Sequence, residues 1–323
     1  MPVTLTAMPH LYSRVTQIGI SPEFVRRALP VWWEDSIAET PAGLQQACLY
    51  LAQAFNLDPR SIYGVGTEVS FRTAERKFKL SRNMKEADVA PSANYASAIA
   101  RLALAAFTPI PRPISADPIA LRQSILNEGD IVNLESLLAW CGRMGIPVIH
   151  IADMPGKKML AVSIRSNGRF AVVLSRKGTT SEMLFWLAHE IGHIALGHLA
   201  SDGFIADQKE VAEQDPDEVE ANDFAIKLLN GQQANYKLGR FIAAENLAAT
   251  AMQYGKTNAI DPGHIILNVA KNMKAYGLGR AALKFLADQD GACVKVNSSF
   301  RTHADVEQIS GDQAALLVQA LTQ

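Results

Sequence analysis

Between residues 181 and 200 the chain reads SEMLFWLAHEIGHIALGHLA, apolar on nearly every side of a helix. That is the pattern of a buried helix, not of an amphipathic surface one. Upstream the pattern is helical and interrupted. The first ~20 residues show no periodicity and read as irregular or partly mobile chain. Ser21-Pro22-Glu23 then supplies a capping serine and a first-turn proline for a helix ending near Pro30. Thr40-Pro41 opens a stronger one, with Leu44, Ala47, Cys48, Leu51 and Phe55 at helical spacing and Asn56 and Asp58-Pro59 as its close. A third helix covers residues 94–107.

Residues 108–118 (TPIPRPISADP) hold four prolines in eleven positions, so they predict a linker or extended strap. Asp117-Pro118 caps a new helix. Another follows at 134–144, with Leu134, Leu137, Leu138 and Cys141 on one face and Gly145 as its stop. Three short strands come next, at 147–151, 160–165 and 170–175, the last two joined by Asn167-Gly168, the signal of a tight hairpin. His150, on a strand face, reads as a surface histidine. Beyond the apolar helix, residues 202–223 hold nine acids and one lysine, mostly a solvated stretch. Asp215-Pro216 starts a helix whose apolar face is Ala221, Phe224, Ala225 and Leu228. Further helices are predicted at 241–253 and 264–276, then a strand at 292–297 and a closing helix near 312–321. The order predicts an α+β fold, mostly helical, with a small sheet beside the apolar helix and a separate helical N-terminal module.

Composition narrows the class. The 323 residues carry a net charge of −1 and are 48% hydrophobic and 20% charged, which describes an ordinary soluble protein of about two domains. Residues 72–85 carry six basic side chains against one acid, but residues 1–110 balance eleven bases with nine acids. That balance favours a solvated helix face over a nucleic-acid contact. Three widely spaced cysteines without a CxxC pair argue for reduced thiols and a cytoplasmic address, and no window reads as a signal peptide or membrane span.

The apolar helix carries chemistry. His189, Glu190 and His193 form H-E-x-x-H. Residues four apart share a helix face, so the two imidazoles can close on one metal ion, and Glu190 can reach a water on that ion. Burying these groups costs several kcal/mol unless a cation offsets it, and Zn2+ is the usual occupant. The third ligand is open. Residue 199 is leucine, and His198 falls about 140° round the helix from His193. A carboxylate on the following helix is the better donor: Glu218, with Asn222 four residues on as its supporting polar neighbour and Glu220 in reserve.

The run RFAVVLSRKGTTSEMLFWLAHEIGHIALGH, followed by DEVEANDFAIKLL and AIDPGHIILNVA, resembles the ImmA/IrrE family of zinc metallopeptidase domains. Position by position, the resemblance implies His189, His193 and Glu218 as ligands and Glu190 as catalytic base. It covers residues 132–271. The chain departs from the family at Leu228-Leu229-Asn230-Gly231 and at His264 in the Pro-Gly turn, and its first 110 residues show no helix-turn-helix. The implied organisation is a helical N-terminal domain over 1–110 for partner recognition or regulation, a linker at 111–118, the peptidase domain at 119–280 and a strand–helix extension at 281–323. The implied activity is zinc-dependent hydrolysis of a peptide bond in a regulatory protein, a transcriptional repressor, with Tyr236, Tyr254, His264 or Tyr276 as oxyanion donor. The alternative is a non-catalytic, zinc-stabilised regulator or antitoxin-like binding module.

Overall fold

A computed structural model describes residues 7–64, 67–72, 75–79, 84–207, 215–232, 234, 236–239 and 242–322. Parts of the basic run at 72–85 and of the acidic stretch at 202–223 lie outside the described residues. So do residues 1–6 and Phe241. The N-terminal part contains α1 (Ala7–Thr16), α2 (Pro22–Ala28), α3 (Pro41–Phe55), α4 (Pro59–Tyr63), β1 (Glu75–Lys79) and α5 (Glu86–Ala106). After the proline-rich strap come α6 (Pro118–Leu126), α7 (Leu134–Arg143), β2 (Val148–His150), β3 (Ala161–Ser166), β4 (Arg169–Leu174), α8 (Thr180–Ala195) and β5 (Gly203–Asp207). The chain closes with α9 (Pro216–Asn230), α10 (Ala244–Asn258), α11 (Pro262–Asn272), α12 (Tyr276–Leu283), α13 (Ala292–Arg301) and α14 (Gly311–Leu321).

Local chemistry sets many of these boundaries. Ser21, Thr40 and Asp215 accept hydrogen bonds from first-turn amides ahead of prolines that begin α2, α3 and α9. Asn167 and Gly168 both adopt positive φ (51° and 72°), which the two-residue β3–β4 turn requires.

The sheet runs β1-β5-β3-β4-β2. β3 is antiparallel to both neighbours, while β1 runs parallel to β5 and β2 parallel to β4. Side chains alternate between two apolar clusters, one on each face. Val162, Ile164, Ala171, Val173, Phe204 and Ala206 face the cluster built by α1–α5 and the end of α14. Ala161, Val172, Leu174 and Ile205 face the cluster of α6–α9. Period-two alternation therefore puts Ser163 and Asp207 on the α8 side, in line with Ile205 and Ala161. A third cluster joins α10, α11 and α12.

Several elements differ from expectation. Residues 7–16 form a helix, because Met8, Leu11, Tyr12 and Val15 make a buried stripe on the N-terminal core. Residues 75–79, expected on a solvated helix face, form the edge strand β1. Charged side chains are tolerated at a sheet edge, where they also block further pairing. β5 was hidden in the acidic stretch. The strand expected at 292–297 is instead helix α13, which buries Ala292, Val296 and Phe300 at four-residue intervals. That helix covers β2, so His150 is buried, not on the surface; its amide donates to Asn297 Oδ1 and its ring lies 3.4 Å from Cys293 Sγ. None of the described helices is long and apolar enough to cross a membrane.

Candidate metal centre

Helices α8 and α9 come into close contact at Gly192, between the two histidines. A Cβ there would stand 3.0 Å from the Ala221 carbonyl oxygen and 3.1 Å from its Cα. This contact carries Glu218, on the first turn of α9, over the face of α8 that bears His189 and His193.

Four donors converge. His189 Nε2 and His193 Nε2 are 3.0 Å apart. Glu218 places Oε1 3.2 Å from His193 Nε2 and Oε2 3.4 Å from His189 Nε2. Asp207, the last residue of β5, places Oδ2 3.5 Å from both nitrogens. All four residues are buried, and one ligand atom from each lies within 4.8 Å of the others.

The set fits a metal ion. Zinc held at ~2.0–2.1 Å by four nitrogen and oxygen donors separates them by about 3.3 Å in a tetrahedron. The spacings at the imidazoles bracket that value. Among the described residues, His189 Nδ1, both Asp207 oxygens and Glu218 Oε1 are buried without a hydrogen-bond partner. Carboxylate oxygens packed in this way cost several kcal/mol unless a cation faces them. With three carboxylates and two imidazoles in one pocket, a divalent ion is the economical neutraliser.

Without metal, protons do part of that work. Burial alone would pull His189 and His193 down, but the carboxylates of Asp207 and Glu218 outweigh it and lift them to about 10 and about 9. Burial opposes ionisation of Asp207 and Glu218 in turn, yet the two imidazoles hold both carboxyls below their ordinary range. Glu190 behaves in the opposite way. It is 1% exposed, and burial, reinforced by the Asp207 charge, drives its carboxyl well above the ordinary range. Ser163 Oγ, projecting from β3, donates to Glu190 Oε2 at 2.5 Å.

His198 stands outside the donor set, in the turn that follows α8 and not on the helix itself as the 140° offset assumed, yet it is not idle. Its Nδ1 lies 2.8 Å from His193 Nδ1, and its Nε2 lies 3.3 Å from Glu220 Oε2. Were His193 Nε2 to hold a metal, Nδ1 would carry the proton and donate to His198, whose Nε2–H would donate to Glu220. A chain of this kind fixes the ring and its tautomer.

The fold therefore brings together His189, Glu190, His193 and Glu218. Asn222 lies one turn beyond Glu218, half-buried, while His198 holds the back nitrogen of His193. Glu220 reaches His198 and not the donor set. Of the four oxyanion candidates, His264 stacks on Phe185 at 6.2 Å, and Phe185 in turn stands 6.5 Å from the His189 ring. Tyr236 packs on Tyr254 in the third cluster, and Tyr254 and Tyr276 are exposed. Asp207 was missed by sequence reasoning. Its available signal was the short apolar run Phe204-Ile205-Ala206 ending in an acid.

This is a buried HExxH cluster with two distal carboxylates, able to coordinate a metal ion. Compared with known proteins, the chain matches no family model and no curated protein.

Proposed function

We propose that this protein is a zinc metallopeptidase similar to the ImmA/IrrE family, cutting a peptide bond in a regulatory protein such as a transcriptional repressor in the cytoplasm. The observation that carries this reading is Glu190, buried beside two imidazoles whose Nε2 atoms meet at 3.0 Å, and held by Ser163. His189, His193 and Glu218 are the proposed ligands, with Asn222 as a further polar support on α9. A bound zinc ion would supply Lewis acidity toward water and a substrate carbonyl.

Glu190 is suited to general acid–base work. Its Oε1 can take a proton from water and hand it to a leaving amine, while Ser163 fixes Oε2. His198 and Glu220 keep the His193 ring in one orientation. In this reading residues 1–110 recognise the partner or gate the site, residues 111–118 form the strap, 119–280 carry the catalytic domain and 281–323 extend it. Their strand β1, paired to β5 beside Asp207, gives the gating role a physical route.

The second reading is a non-catalytic zinc-stabilised module, and one observation favours it. Four protein donors make a closed set, which is the habit of structural zinc. Glu190→Gln separates the two. The variant is expected to keep fold and zinc content but to lose cleavage, so proteomics of cells expressing each form would show a protein depleted by wild type alone. Biological activity that survives the substitution would establish the binding module instead.

A further inference from the structure

We infer that Asp207 is a fourth protein ligand that closes the metal site in the resting protein, and that strand β1 latches it there. This rests on the metallopeptidase reading and deepens it: the open position that hydrolysis needs is obtained by withdrawing Asp207.

Three observations carry the inference. Asp207 Oδ2 is equidistant, at 3.5 Å, from both imidazole nitrogens, on a spacing matching that of Glu218. Both Asp207 oxygens are buried with no hydrogen-bond donor among the described residues, and the groups that face its carboxylate are the two imidazoles and the buried Glu190 carboxyl. Its backbone, by contrast, is tied down. The Asp207 carbonyl accepts from Leu160 N at 2.8 Å, and Asp207 pairs with Ala161 on one side and with Lys79 on the other.

Lys79 is the latch. It is the last residue of an edge strand, and its ammonium reaches Asp215 at 2.5 Å and Asp217 at 3.4 Å. Those carboxylates are the cap and first turn of α9, directly ahead of Glu218. Lys77 on the same strand donates to the His198 carbonyl at 2.8 Å, just past α8. Strand β1 thus joins the element bearing Asp207 to those bearing Glu218 and the histidines. A partner that captures the edge strand would remove one of the two strand pairings that hold the end of β5 while leaving the HExxH helix in place.

The test is the visible spectrum of the full-length protein loaded with Co2+, titrated with azide, a small anion that takes an open coordination position far more readily than a filled one. The wild-type spectrum is expected to stay unchanged, whereas Asp207→Ala and the same-shaped Asp207→Asn acquire an azide-dependent band. Lys79→Met is expected to respond as well. A wild-type spectrum that shifts with azide as the Asp207 variants do would overturn the inference and leave the peptidase reading standing. A Lys79→Met protein as silent as wild type, beside responsive Asp207 variants, would overturn the latch. Failure of wild type to take up one Co2+ or Zn2+, with His193→Ala behaving identically, would overturn the inference and the proposed function together.

Discussion

His264 carries both ring nitrogens into the interior without a hydrogen-bond partner among the described residues. Burial, helped by the charge of Arg122, lowers it from 6.5 to about 4. The unfolded chain therefore binds this proton first as pH falls. Stability contributed by the neutral ring is complete above about 6.5 and drains away down to about 4, a change of about 3 kcal/mol. Urea unfolding of metal-free protein across that window should show wild type losing about that much more than His264→Leu; parallel curves would contradict the assignment. At this scale the candidate site was largely legible. His189, Glu190 and His193 announce themselves because helical spacing turns a five-residue string into one face. Glu218 was reachable because Asp215-Pro216 fixes where its helix starts. Asp207 was not, since a carboxylate inside an acidic stretch reads as solvated until the strand that buries it is known.

Elements are placed by small residues as much as by large ones. Gly192 lets α9 settle on α8, and a methyl there would press on the Ala221 backbone and on Phe224 Cβ at 3.3 Å. Gly192→Ala is expected to cost about 1–3 kcal/mol and to weaken zinc binding by moving Glu218 outward. Denaturant unfolding and a zinc titration of the variant would check both, and an unchanged zinc affinity would count against the contact's role. The capped helices α2, α3, α7 and α9 and the β3–β4 hairpin follow the local signals in the chain, because caps and turns are decided by neighbouring residues. β1 and β5 follow no such signal. A five-residue edge strand ERKFK has no apolar face to advertise, and β5 offers only three apolar residues ahead of an acid. The segment at 292–297, with Val294 and Val296 alternating, suggested a strand; its helical form is set by the groove it fills over β2.

For the whole molecule, the sheet is a wall between two cores, and the N-terminal helices supply one of them. Ile149, Ile151, Val162, Ile164, Val173 and Phe204 on that face pack with α3, α5 and α14 in one cluster. A fragment of residues 111–323 would expose this face and lose β1. It is expected to be insoluble or to lack a cooperative thermal transition, and circular dichroism of the purified fragment would check this; a fragment melting like the full chain would show that the N-terminal part is dispensable to the fold. The same arrangement links the N-terminal region to the donor set through β1 and β5, a relation that sequence cannot display because the two strands are over a hundred residues apart.

The central claim is that one zinc ion sits among His189, His193, Asp207 and Glu218. Zinc K-edge X-ray absorption of the zinc-loaded full chain tests it most directly. The account predicts one zinc per chain in a shell of nitrogen and oxygen only, at ~2.0–2.1 Å, with two imidazoles resolved and the ion lost in His193→Ala. A sulfur shell at ~2.3 Å, or zinc retained unchanged in His193→Ala, would contradict it.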